Sequence, residues 1–174
     1  MGMPDAEEEY TNKTIDEGWQ HCLTVPRELR VKDGKIFQYP AKELERLRKE
    51  KTILDDEKSI VEVRVEVIED IAVTDRSFQI SMGGQMLFKY ENEIAEIGFS
   101  EIAGAGRNKR KAKVSELNNI RILADTSAVE LYLNDGEIVF STRYYPDRED
   151  LQLKVKGGKF RGNLWNLRKM IFTK

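Results

Sequence analysis

A cysteine beside a histidine is the simplest nucleophile-and-base pair a chain can offer, and this one holds His21 next to Cys22. Thiolate chemistry needs the imidazole within hydrogen-bond reach of the sulfur. Neighbours in an extended segment point to opposite faces, so the two make no dyad. One histidine and one cysteine also put a structural zinc site of the usual Cys/His kind out of reach. Chemistry would then fall to the carboxylates. Glu7-Glu8-Glu9 could rim a pocket, although an exposed loop accounts for them as well. Asp125 ends an alternating segment and is expected to cap the following turn. Glu130 alternates with Val129 and Leu131 and faces away from any core that holds them. Arg27 and Glu28 could form a buried ion pair or a solvated one.

Aromatic rings are the other candidates, since they stack on sugars as readily as they fill cores. Trp19 reads as packing. Tyr132, Tyr144 and Trp165 are the candidates for sugar contact, with a place in the core as the alternative. The basic run Arg107-Asn108-Lys109-Arg110-Lys111 follows Gly104 and Gly106, and a solvated loop is expected there in preference to a phosphate patch. No residue stands out as catalytic, cofactor-binding or metal-ligating.

The elements that must position these groups are strands. Val61, Val63, Val65 and Val67 alternate with Glu62, Arg64 and Glu66, as a half-buried antiparallel strand does. Further strands are expected at 76–82, 85–91, 93–100, 117–125, 127–134, 137–145, 149–156 and 159–171. Gly83-Gly84, Asn134-Asp135-Gly136 and Gly157-Gly158 supply turns between several of them. Many short strands with little helix mean a sandwich or barrel. Upstream, residues 1–17 show no periodicity. A hairpin follows, Leu23–Val31 and Lys35–Tyr39 around Asp33-Gly34. Pro40 then opens a short helix from 41 to about 51, on which Leu44 and Leu47 share one surface.

The whole chain carries 29 basic and 31 acidic residues, a net charge of -2, so no global field points to nucleic acid or a membrane surface. No apolar run reaches transmembrane length. The lone cysteine gives a mild preference for a reduced, cytoplasmic setting.

Two stretches resemble glycoside hydrolase family 32, the invertases, β-fructofuranosidases, fructanases and sucrose-6-phosphate hydrolases. The first runs from Met1-Gly2-Met3-Pro4-Asp5 through Gly18-Trp19-Gln20-His21-Cys22-Leu23-Thr24-Val25-Pro26-Arg27-Glu28-Leu29 to Gln38-Tyr39-Pro40 and Glu43-Leu44. The second is Ile120-Arg121-Ile122-Leu123-Ala124-Asp125-Thr126-Ser127-Ala128-Val129-Glu130-Leu131, continuing to Asn134-Asp135-Gly136-Glu137 and Phe140-Ser141-Thr142-Arg143. In the family, words like the first close a five-bladed catalytic propeller. Words like the second belong to the C-terminal sandwich.

The resemblance implies an all-β chain, an antiparallel sandwich preceded by a residual propeller hairpin and a short linker helix. Its divisions would be 1–40 as the end of the propeller, 41–58 as a helical linker and 59–174 as the sandwich. Such enzymes flank the scissile bond with two carboxyl groups, about 5–5.5 Å apart when configuration is retained. The family's Trp-Met-Asn-Asp-Pro-Asn-Gly, Arg-Asp-Pro and Glu-Cys motifs do not occur here. The expectation is therefore an inactive C-terminal part of an enzyme that hydrolyses β-fructofuranosyl linkages of sucrose or sucrose-6-phosphate, without a cofactor. Trp19, Pro26, Arg27 and Glu28 would be its structural and interdomain residues. Fructosides would be met through the parent catalytic domain, and neither nucleic acid nor membrane is an expected partner. A free-standing carbohydrate-binding sandwich is the alternative. The hairpin, with open edges, could fold back on its own sandwich or pair with a second copy, and a homodimer is expected.

Overall fold

The computed structural model describes residues 12–54, 57–59, 64–72, 77–147, 152–157 and 159–171. Glu7-Glu8-Glu9, the segment from Met1 to Asp5, and Val61 and Val63 lie outside them. A 3-10 turn, Lys13–Glu17, leads to the hairpin of β1 (Arg27–Lys32) and β2 (Lys35–Pro40). Asp33 and Gly34 both take positive φ, as a two-residue hairpin turn matched to strand twist requires.

Two six-stranded antiparallel sheets follow. The first is ordered β12 (Ile138–Arg143), β11 (Ala128–Leu133), β10 (Asn119–Ala124), β5 (Val65–Ala72), β14 (Lys159–Leu167), β3 (Arg48–Leu54). The second is ordered β4 (Glu57–Ser59), β13 (Gln152–Lys156), β6 (Ser77–Met82), β7 (Met86–Glu91), β8 (Ile94–Phe99), β9 (Lys109–Lys113). A one-turn helix, Glu101–Gly104, connects β8 to β9.

The sheets form a sandwich, because the inward residues of both make one apolar cluster. Val65, Val67, Ile120, Ile122, Val129 and Leu131 come from the first sheet, and Phe78, Ile80, Phe88, Ile97 and Leu153 from the second. All of these are fully buried. The second sheet turns its other side to solvent, with burial alternating along β6, β7 and β13. The first does not: every residue from Ile120 to Ala124 and from Val129 to Leu133 is buried. Its outer face has a cover of its own, made by residues 12–47.

Three expectations change. The helix from 41 is a 3-10 segment, Lys42–Leu47, and gives way to strand β3 at Arg48. A helical linker over 41–58 is thus corrected to a short helical turn followed by β3 and β4. Ladder pairing with β14 and the pull of Glu66 on Arg48 override the helix propensity of this Arg/Lys/Glu stretch. Leu44 and Leu47 do share a surface, packing with Leu123 and Leu167. The basic run is not a solvated loop, because Lys109–Lys113 is the edge strand beside β8, and Arg107 is buried. Lysines on an edge strand discourage further pairing. The last strand ends at Leu167 rather than at 171. No described helix is long and apolar enough to cross a membrane.

Candidate functional site

The outer face of the first sheet carries Glu66, Arg121, Leu123, Glu130, Tyr132 and Ser141. Residues opposite one another in a ladder share a face, and the register pairs Arg121 with Tyr132, Leu123 with Glu66 and Glu130, and Glu130 with Ser141. Alternation with apolar partners would ordinarily mean solvent on this side. Here Glu66, Arg121, Glu130 and Arg143 are all more than nine-tenths buried. Burying a charge is costly unless it is paired. Each of the two carboxylates accordingly meets guanidinium groups.

Glu130 is shared by three parts of the chain. Its Oε1 accepts from the Val25 N–H at 2.9 Å, and its Oε2 accepts from Arg27 Nη2 at 2.7 Å. The Tyr132 hydroxyl donates to the same Oε2. Arg27 also donates to Tyr132 (3.1 Å), Gln38 (3.1 Å) and Ser141 (2.5 Å). Glu66 lies between Arg48 and Arg121, with Nε···O distances of 2.6 Å to each. The Arg48 guanidinium stacks 4.3 Å from the Trp165 ring, and that of Arg121 lies 4.9 Å from Tyr39. Arg143 donates to the Thr14 hydroxyl (2.9 Å) and the Gln20 carbonyl (3.3 Å), and lies 4.7 Å from the Trp19 ring. Arg107 donates to Asn12 Oδ1 at 2.8 Å. Residues 12–48 are thus held to the sandwich at intervals by arginines. Burial, followed by the neighbouring Glu130 carboxylate, pushes the Tyr132 phenol well above the ordinary tyrosine range. Burial does the same to Tyr144, with Asp125 adding to it.

Between the anchors, apolar contacts close the layer. Leu44, Leu123, Tyr132 and Leu167 form a second buried cluster, joined by Val25, Tyr39, Leu47 and Val139. Each such side chain is worth roughly 1.5–3 kcal/mol when fully buried. The hairpin meets the sandwich most closely at Gly136, where a Cβ would lie 1.9 Å from the Gln38 carbonyl oxygen. Gly136 also has a φ of +88°, so glycine is required there twice over. Lys35 and Glu137 close the same junction at 2.5 Å.

Residues 12–47 form a strap over the sheet, and much of its apolar surface is bare. Leu23 is 95% exposed, and Ile15, Trp19, Leu29, Val31 and Ile36 are exposed as well. A cleft of about 130 Å³ opens between strap and sheet, lined by Leu23, Val25, Leu44, Leu47 and Leu123, with the Arg64–Asp125 pair on its rim. Ligand sites usually hold roughly 300–1,000 Å³, so this cleft is too small for a disaccharide. Among the described residues no group of three or more His, Cys, Asp or Glu could hold a metal ion.

The expected residues are only partly brought together. Arg27 is at the centre of the contact, but its partner is Glu130; Glu28 is exposed and pairs with Arg30 at 2.8 Å, so an Arg27–Glu28 ion pair does not form. Residues one apart on a strand face opposite ways, which is the reason. Pro26 lies at the base of the hairpin, its carbonyl accepting from the Ala41 N–H at 2.9 Å. Trp19 is 40% exposed, not a core residue, with one face under Arg143. Tyr132 and Tyr144 are buried and offer no face to a sugar. Trp165 is half-buried, between Arg48 and Lys51. Asp125 Oδ1 accepts from the Thr126 N–H at 2.6 Å and pairs with Arg64 at 2.8 Å, and no bond from its side chain to an N–H further along the turn is seen among the described residues. Glu66, Arg48, Arg121, Arg143 and Gly136 were not anticipated. Opposite charges on paired strands, as in Val65-Glu66-Val67 and Ile120-Arg121-Ile122, were the available signal.

The family model described as "Glycosyl hydrolases family 32 C terminal" matches residues 43–167. The sucrose-6-phosphate hydrolase of Bacillus subtilis (strain 168) is 31% identical over 156 residues, covering 84% of this chain and 32% of the relative. The chain thus spans about a third of the length of the curated relatives it matches. Among solved structures, the sucrose-6-phosphate hydrolase from Lactobacillus gasseri superposes with a TM-score of 0.80 at 21% identity, covering 94% of this chain and 37% of that one. A Bombyx mori β-fructofuranosidase gives 0.71 at 18% identity, covering 92% and 36%. These likenesses establish the fold.

Proposed function

The chain belongs to glycoside hydrolase family 32 through its C-terminal domain, and we propose that it supports a fructoside-cleaving catalytic domain without itself cleaving the sugar. The observation that carries this reading is the exposed apolar surface of the anchored strap. The strap is fastened by Arg27, Arg107 and Arg143, yet it leaves Ile15, Trp19, Leu23, Leu29, Val31 and Ile36 exposed. Half of the large hydrophobic residues exposed among the described positions lie on this one segment, as a surface awaiting a neighbouring domain would have it. The hairpin would be the last piece of the catalytic propeller, carried by the sandwich. The linkage cleaved would be a terminal β-fructofuranosyl bond, in sucrose or sucrose-6-phosphate, in keeping with the names of the relatives.

The buried carboxylates support a structural part for the sandwich. A glycosidase acid or nucleophile must reach the sugar. Glu66 and Glu130 are closed off by guanidinium, hydroxyl and backbone donors. A single free cysteine fits a reducing cytoplasm. Purified chain incubated with sucrose and with sucrose-6-phosphate should release no fructose. Turnover that persists through purification and disappears on Glu130→Gln would refute the reading.

A further inference from the structure

We propose that the outer edge of β1 binds a second copy of this chain, antiparallel about a two-fold axis through Leu29. Among the described residues β1 forms a ladder with β2 alone, and the far side of β2 is backed by the turn at Gly136. The open edge of the hairpin therefore belongs to β1. Residues 28–32 are all exposed, Leu29 by 68% and Val31 by 77%. An exposed edge strand offers its unpaired N–H and C=O groups to another strand.

The charges choose the arrangement. With Leu29 opposite Leu29 in antiparallel pairing, Glu28 of each copy falls opposite Arg30 of the other. An in-register parallel pairing would instead place Glu28 against Glu28 and Arg30 against Arg30, which is unfavourable. Glu28 and Arg30 now bridge each other on the surface and are free to exchange that contact for the crossed one. The product is a four-stranded sheet, and Val31 with its ladder partner Ile36 puts apolar surface from both copies on it. Isolated hairpins are marginal, whereas more than two strands with an apolar face are stable. A catalytic domain seated on the hairpin would compete for this edge. The proposal concerns the chain alone and stands or falls separately from the fructose-release test.

Sedimentation of the full chain over a wide concentration range tests it. The wild type should pass from monomer to dimer. Glu28→Arg alone and Arg30→Glu alone should each weaken association by roughly tenfold, through repulsion at both symmetric contacts. The double reversal Glu28→Arg/Arg30→Glu should restore it to within about threefold. Both positions are exposed, so unchanged thermal melting will show that the variants fold. A chain monomeric at every concentration, single variants that associate like the wild type, or a double variant as weak as the singles would overturn the proposal.

Discussion

Glu130 joins the N-terminal segment, the hairpin and the sheet through one carboxylate, and its removal should be felt in all three. Glu130→Ala leaves the Arg27 guanidinium, whose side chain is 14% exposed, without its countercharge. Stripping one partner from a buried pair costs about 3–5 kcal/mol, and urea unfolding should report a loss of that order. Replacing both partners by apolar residues, as in Arg27→Met/Glu130→Leu, should cost clearly less. The buried tyrosines carry a pH signature. Their folded-state phenols titrate above the ordinary range, because burial disfavours the phenolate. The unfolded chain gives up these protons first, near pH of about 10, so the tyrosines' contribution to stability is constant below that point. Above it, stability falls with rising pH by up to about 1.4 kcal/mol per unit for each tyrosine. Tyr144→Phe should remove one share of that slope. The Tyr144 hydroxyl has no partner among the described residues, so the variant should keep wild-type stability at neutral pH to within about 1 kcal/mol.

At the scale of elements, the hairpin is the part whose position has to be enforced. Its β2 strand rests on the turn after β11, where Gly136 leaves room for the Gln38 carbonyl. Gly136→Ala introduces both a positive-φ penalty and a clash with backbone. It should release the hairpin, at a cost of at least about 1–3 kcal/mol, while the sandwich core persists. Hydrogen exchange should quicken at Leu29–Gln38 and stay slow at Ile120–Leu133; equal protection in the variant would contradict the docking. Elements with a clean period of two, such as β6, β7 and β10, were legible because one face is fully apolar. So was the Asp33-Gly34 hairpin. β3 and β9 were not, since both are edge strands of charged residues whose strand character comes from a ladder partner distant in sequence. The anchoring arginines escaped for a related reason. A polar residue alternating with apolar ones reads as solvent-facing, and only the strap laid over Glu66, Arg121 and Glu130 makes them interior.

At the scale of the whole molecule, three layers are stacked: the strap, the first sheet and the second sheet, with the apolar core between the sheets and arginine–carboxylate contacts between strap and sheet. A layer fastened by buried charge pairs resists sliding, because a displaced guanidinium loses partners it cannot replace from solvent. That property suits a domain that must hold the closing edge of a neighbour in fixed register. Activity in a hybrid enzyme tests this most directly. The chain would be joined in place of the matching C-terminal third of the Bacillus subtilis sucrose-6-phosphate hydrolase, and fructose release from sucrose-6-phosphate compared with that of the relative truncated before its matching third. The hybrid should hydrolyse the substrate where the truncated relative and the chain alone do not, and Glu130→Ala within it should lower the activity that survives heating. A folded hybrid no more active than the truncated relative, or hydrolysis by the chain alone, would contradict the account.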